Sequence, residues 1–240
     1  MAQLILIRHG QSQWNLENRF TGWVDVNLTA DGEAQARKAG QLMKQAGLEI
    51  DQAFGSVLTR AVRTLWLSLE ELNQVYVPQT LDWRLNERHY GALTGLNKTE
   101  VAAEHGEAQL KIWRRSYDTP PPPLAADNPV NPCKDRRYAH LPAEALPATE
   151  SLKTTLDRVV PYWQQEIFPH VQAGKTVLVA AHGNSLRALV KHLMGISNEE
   201  IVKLEIPTGN PMLLNLDAQG TPKAARYLDA ERAQPLPEFA

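Results

Sequence analysis

The chain of 240 residues carries 43% apolar and 22% charged residues with a formal net charge of -2, a globular composition with room for one sizeable core. That balance, with a pI of about 6.4, excludes a general nucleic-acid binder, which needs a broad basic face. A single cysteine, Cys133, excludes an internal disulfide and fits a reducing, cytoplasmic setting.

The run Leu4-Ile5-Leu6-Ile7 is too short for a signal peptide or a membrane span and reads as a buried strand over 3–7. A helix follows over 30–46, with Thr29 as N-cap and Gly47 as its stop. A second strand is expected over 52–58. The helix after it, 60–73, has an apolar face of Ala61, Leu65, Leu69 and Leu72, widened by Val62 and Trp66. Periodicity then fails from 117 to 149, where Pro120 to Pro123 open a long loop of the kind used as a lid. A helix over 151–168, a strand over 176–181 and a helix from about Ser185 restore the pattern. Ser197 and Glu200 have capping-box spacing for one short helix. Strands 212–216 and 224–228 read as an edge hairpin, and 229–240, with Pro235 and Pro237, as a mobile tail. The alternation predicts an α/β fold, a three-layer sandwich with a mostly parallel central sheet flanked by helices. Residues 1–228 form one domain, including a long insert at about 91–149.

Strand 3–7 runs into Arg8-His9-Gly10, and strand 176–181 into His182-Gly183-Asn184. Ligands of open α/β sheets bind at the carboxyl ends of strands. If the two strands are parallel neighbours, both histidines enter one crevice, and the helix after His182 points backbone N–H groups at an anion there. A lone strand-end His-Gly is more often a satisfied polar residue; two in one chain favour function. Arg60, at the start of a helix, opposes the helix dipole unless an anion lies nearby, the plain alternative being a solvated arginine. Glu87, within Arg84-Leu85-Asn86-Glu87-Arg88-His89-Tyr90-Gly91, is either a general acid and base or an ion-pair partner, and among arginines pairing is the default. Lys98 and the helical Trp113-Arg114-Arg115 add positive charge that suits a small anion. No zinc, calcium, Walker or dinucleotide motif is present, so neither a metal nor a nucleotide is expected.

Four blocks together carry a resemblance: Leu6-Ile7-Arg8-His9-Gly10-Gln11-Ser12 continuing from Trp14 to Trp23, the Arg84–Gly91 block, Lys111-Ile112-Trp113-Arg114-Arg115-Ser116-Tyr117, and Ala180-Ala181-His182-Gly183-Asn184-Ser185-Leu186-Arg187. They resemble the cofactor-dependent phosphoglycerate mutases of the histidine phosphatase superfamily. The resemblance implies interconversion of 3-phosphoglycerate and 2-phosphoglycerate in glycolysis and gluconeogenesis through a phosphohistidine, with 2,3-bisphosphoglycerate as priming phosphoryl donor. It implies His9 as nucleophile, Glu87 as proton donor and acceptor, and His182 stabilising the transferring phosphoryl group beside Arg8 and Arg60, a role that a protonated ring and the arginines can fill without a metal. It implies substrate contacts from Arg8, His9, Gly10, Gln11, Ser12, Gln13, Trp14, Asn15, Thr21 and Gly22. Further contacts are implied from Arg60, Glu87, Arg88, His89, Tyr90, Lys98, Arg114, Arg115, Gly183 and Asn184. Gln13, Gly55 and Asn210 depart from the residues usual in the family. The implied partner is a small phosphorylated anion, not a nucleic acid or a membrane, and a homo-oligomer is compatible with a family ranging from monomers to tetramers. Three rivals remain: a phosphatase of the superfamily, a bisphosphoglycerate synthase (which tends to have glycine where Ser12 stands), and a non-catalytic phosphate-binding protein.

Overall fold

The structure, a computed structural model, describes residues 2–236. Six strands form one sheet in the order β3-β2-β4-β1-β5-β6. They are β1 (Ala2–Arg8), β2 (Gln52–Gly55), β3 (Gln79–Leu81), β4 (Thr176–Ala181), β5 (Met212–Leu216) and β6 (Pro222–Tyr227). The first four are mutually parallel, and β5 and β6 close one edge as an antiparallel hairpin. Nine α-helical segments are described: α1 (Gln13–Leu16), α2 (Ala30–Gln45), α3 (Thr59–Leu72), α4 (Lys98–His105), α5 (Glu107–Arg115), α6 (Leu152–Tyr162), α7 (Phe168–Gln172), α8 (Gly183–Met194) and α9 (Asn198–Ile201).

The sequence of β1 explains the layers. Successive side chains of a strand point to opposite faces. Leu4 and Leu6 therefore join Val177, Val179, Leu152, Val159, Leu186 and Leu189 beneath α6 and α8. Ile5 and Ile7 join Leu178, Ala180, Ala39, Met43, Leu65 and Leu69 beneath α2 and α3. Both faces of the central strands are buried, as a parallel sheet requires. Caps follow the sequence: the Thr29 hydroxyl accepts from the Gly32 N–H, and Ser151 and Thr154 form a capping box at α6.

Some expectations are corrected. The strand expected over 52–58 stops at Gly55, because the Ser56 hydroxyl accepts from the Leu58 N–H and turns the chain into α3. Trp66 does not widen the buried face of α3; it is 55% exposed, while Leu65 and Leu69 on either side face the sheet. The helix expected over 151–168 runs on to Gln172, passing through a π-helical stretch at Trp163–Ile167 after Pro161, which brings no amide to the ladder. The loop 117–149 has only short 3-10 turns, yet Tyr138 pins it: its ring packs 4.9 Å from Trp23 and its hydroxyl accepts from Asn86 Nδ2 at 2.8 Å.

The tail expected to be mobile from 229 is anchored at its start. Asn210 clamps Asp229 through both backbone groups at 3.0 Å, and Lys38 pairs with its carboxylate at 3.0 Å. Arg232 donates to the Thr208 carbonyl, and Leu236 packs against the core. The rest of that tail, 237–240, lies outside the described residues. No described helix is long and apolar enough to cross a membrane.

Candidate active site

The site starts from strand register. Arg8 of β1 lies opposite Ala181 of β4, so the next residues, His9 and His182, emerge side by side at the carboxyl edge. Their ring centroids are 4.9 Å apart. The turn after His9 is tight: a Cβ on Gly10 would lie 2.1 Å from the Gly32 carbonyl oxygen, so the loop rests on the start of α2 backbone to backbone.

His9 is 3% exposed, and its Nδ1 lies 2.7 Å from the Gly10 carbonyl oxygen. A carbonyl only accepts, so Nδ1 carries the proton and Nε2 keeps its lone pair. Burial first, then Arg60 and Arg8, hold the His9 pKa well below its ordinary value, so the ring is neutral. His182 is fully buried, and burial, Arg60 and His9 push its pKa down as well. In the ligand-free protein, burial and the neighbouring arginines therefore oppose a charge on His182.

Glu87 is 8% exposed, and Oε1 accepts from the backbone N–H groups of Arg88 at 2.8 Å and Asn184 at 3.1 Å. Among the described residues it forms no ion pair, so the arginine-pairing alternative falls. Helix α8 begins at Gly183, two residues before the expected start, and its Asn184 N–H serves this carboxylate rather than an open anion site.

Arg60, in the first turn of α3, is 1% exposed and donates to the Gly22 and Val24 carbonyls at 2.7 and 2.9 Å. Burial lowers its pKa to about 10, which still leaves a full charge near neutrality. Arg8 donates from Nη1 to the Ile206 carbonyl at 2.8 Å, leaving Nε buried without a partner among the described residues. These groups border a cavity of about 330 Å³. Lys98 stands opposite, its pKa pushed down to about 8 by burial and by Arg114, Arg8 and Arg115. Arg19, Arg114, Arg115 and Arg187 add charge against only Glu87 and Glu205. Such a wall suits a ligand with several negative charges. Among the described residues no group of three or more His, Cys, Asp or Glu side chains is placed to hold a metal.

Comparison with known proteins supplies the family. Residues 4–136 and 125–228 match the histidine phosphatase superfamily (branch 1). The chain belongs to that superfamily. It is 65% identical to the 2,3-bisphosphoglycerate-dependent phosphoglycerate mutase of Caulobacter sp. (strain K31), over 99% of each chain. The enzyme of that name from Hyphomonas neptunium is 58% identical over 100% of each. Among solved structures, the α-ribazole phosphatase of Shigella flexneri superposes with a TM-score of 0.68 at 22% identity, covering 98% of this chain and 100% of the other. Mycobacterial glucosyl-3-phosphoglycerate phosphatase gives 0.67 at 22% identity, covering 90% and 93%. These two share the histidine phosphatase fold.

Against that family pattern, the cavity wall brings together Arg8, His9, Asn15, Thr21, Arg60, Glu87, Tyr90, Lys98, Arg114, Arg115, Gly183 and Asn184. The other expected contacts lie outside the wall. Gln11 and Ser12 fasten the loop to Gln35 and Asn15, Gln13 reaches Glu17 on the surface, and Trp14 stacks on Arg19 at 4.3 Å. Gly22 presents its carbonyl to Arg60. Arg88 spends its guanidinium on the Trp113 and Arg114 carbonyls at 2.9 and 3.1 Å. His89 accepts from the Gly91 N–H at 3.0 Å and, chiefly through burial, has its pKa lowered to about 4.

The histidine phosphatase motifs also left residues unread. Arg187, buried in the wall, donates to Asn184 Oδ1 at 3.0 Å and to the Ile201 carbonyl at 2.6 Å. Arg158 of α6 pairs with Glu150 at 2.7 Å and donates to the carbonyls of Arg84, Asn86 and Glu87. An arginine on the buried side of a helix is the signal that was available for both.

Proposed function

We propose that this protein is a 2,3-bisphosphoglycerate-dependent phosphoglycerate mutase, interconverting 3-phosphoglycerate and 2-phosphoglycerate through phospho-His9, with residues 1–228 as one catalytic unit. The observation that carries the reading is the pairing of a neutral, buried His9 with a free Nε2 and a Glu87 carboxylate held by two backbone N–H groups, inside a cationic cavity. The relatives at 58–65% identity point the same way. Arg8, Arg19, Arg60, Arg114, Arg115, Arg187 and Lys98, with the unpartnered Arg8 Nε, fit a small polyanion of two phosphates and one carboxylate.

The residues perform the transfer as follows. The substrate hydroxyl oxygen forms a bond to phosphorus as the P–N bond to His9 Nε2 breaks, and the hydroxyl proton passes to Glu87. In the return step Nε2 takes the phosphoryl group from the other oxygen, and Glu87 gives the proton back. Charge on the equatorial phosphoryl oxygens spreads in the transition state, where fixed arginines cost no reorganisation. The Nδ1–H bond to Gly10 keeps the reactive nitrogen aimed and unprotonated. An enolase-coupled assay with 3-phosphoglycerate, with and without added 2,3-bisphosphoglycerate, tests the reading. Turnover that depends on the bisphosphate is the expected result, and no turnover under either condition overturns it.

A further inference from the structure

Three parallel strands, not two, deliver side chains to the catalytic edge. Gly55 of β2 lies opposite Ala180 of β4, so Ser56, the first residue past the end of β2, comes level with Ala181, one residue short of His182, and its hydroxyl reaches the His182 ring. Ser56 Oγ lies 2.6 Å from His182 Nε2, and both residues are fully buried. We propose that Ser56 is a positioning residue that sets the His182 tautomer: it donates its hydroxyl proton to Nε2, so that Nδ1 keeps a hydrogen for a phosphoryl oxygen. The proposal rests on the reading of this cavity as a phosphoryl-transfer site.

Hydrogen-bond capacity sets the direction of this contact. The Ser56 hydroxyl accepts from the Leu58 N–H at 3.2 Å, and its single proton then needs an acceptor. Among the described residues only His182 Nε2 is within reach. If Nε2 carried the hydrogen, the hydroxyl proton would be buried without an acceptor. With Ser56 donating, one group is left over, the Nδ1–H, and Nδ1 is indeed buried with no hydrogen-bond partner among the described residues. An orphaned donor beside the nucleophile, 4.9 Å between ring centroids, is what an anionic oxygen arriving at His9 would satisfy. Protonating both nitrogens is opposed by the charges that face the ring, Arg60, Arg158 and Arg8. Ser56 thus fixes both the ring plane and the proton, as a hydrogen bond to one ring nitrogen generally fixes the role of the other.

The test reads the tautomer directly. In ligand-free protein labelled with nitrogen-15 histidine, a two-bond proton–nitrogen correlation spectrum distinguishes Nδ1–H from Nε2–H, with His182 assigned by its loss in His182→Gln. The wild type should show Nδ1–H; Nε2–H there overturns the proposal whatever the activity. Ser56→Ala should shift the signal towards a tautomer mixture and lower kcat by roughly 10- to 100-fold, somewhat less than deleting a transition-state donor outright. KM for 3-phosphoglycerate should change little, and Ser56→Thr, which keeps the hydroxyl, should restore most of kcat. An unchanged kcat in a folded Ser56→Ala protein overturns the proposal; should that variant not fold, the wild-type spectrum still decides. Lack of mutase turnover in the wild type would overturn the functional reading alone, because the spectrum needs no substrate.

Discussion

His9, His182 and Ser56 leave the ends of three adjoining parallel strands, whereas Lys98, Arg114 and Arg115 sit on two short helices of the insert. The strand ends are backed by the two large apolar clusters of the sandwich. The helical wall rests on a small cluster of Phe20, Leu93, Val101 and Leu110, fastened by Arg88 to the last turn of α5. Reacting groups must hold their geometry to a fraction of an ångström, which strand ends in a dense core supply. Groups that only grip a polyanion tolerate a looser mount, and elements with few buried contacts yield first. Chemistry and grip should therefore fail separately when each half is broken.

The largest effect is expected on the strand side. His9→Ala should abolish turnover with the fold intact, and intact mass after incubation with 2,3-bisphosphoglycerate should show one added phosphoryl group on the wild type only. Phosphorylation of the variant would remove His9 from the role. Glu87→Gln keeps an amide oxygen for the Arg88 and Asn184 N–H groups but cannot shuttle a proton. Its kcat should fall about 10²- to 10⁴-fold with KM little changed, as measured in the coupled assay.

The helical wall should respond in the opposite parameter. Arg88→Met removes the clamp on the Trp113 and Arg114 carbonyls while keeping much of the apolar volume against Tyr90. KM for 3-phosphoglycerate should rise about tenfold, the equivalent of one charge-assisted hydrogen bond, with kcat within about threefold of wild type. A fall in kcat with KM unchanged would mean that the insert shapes the reacting centre as well.

The two halves were also unequally legible in the sequence. Apolar runs ending in Arg8-His9-Gly10 and His182-Gly183-Asn184 announce strand ends, and the unbroken apolar run Leu4-Ile5-Leu6-Ile7 announces two covered faces, so the catalytic edge is legible in the sequence. Ser56 was hidden because the strand signal around it runs on to Leu58; only the hydroxyl's own turn shows that the strand has ended. Strand β3, Gln79–Leu81, is too short and exposed to carry a period. Whether an expected contact such as Arg88 faces the cavity or its scaffold depends on where α5 docks, which no local spacing records. Asn210, noted only as a departure, acquires a role through Asp229, nineteen residues away.

Acid should strain the buried histidines more than the cationic wall. Burial holds His9 and His182 well below their ordinary pKa and His89 at about 4, so each takes up its proton more readily in the unfolded chain. Stability is therefore full above about pH 6.5 and falls as the pH drops towards 4, because the unfolded state then binds more protons than the native one. The slope should approach about 1.4 kcal/mol per pH unit for each histidine in its titration window. Urea unfolding at a series of pH values measures it, and His89→Gln should flatten it. A profile flat between pH 6.5 and 4 would mean that these rings are not buried neutral.

The smallest effect belongs to a contact outside both halves. Asn210 is fully buried, donates to the Asp229 carbonyl and accepts from the Asp229 N–H, so its amide replaces a missing strand partner for the chain after β6. Asn210→Ala leaves both backbone groups unpaired unless water enters, a cost of about 1–3 kcal/mol in unfolding free energy. The clamp lies next to Thr208 and Gly209, and the latter's N–H bonds the Arg8 carbonyl at 2.9 Å, so loosening has one short route to the catalytic edge. If strand ends are as firmly held as their core implies, the route carries nothing: stability should drop while kcat and KM stay within about twofold, the range expected when a contact is separate from the site. A matching loss of kcat would show that Arg8 depends on the C-terminal segment, and the division between a rigid edge and a compliant wall would then need a third, weaker support.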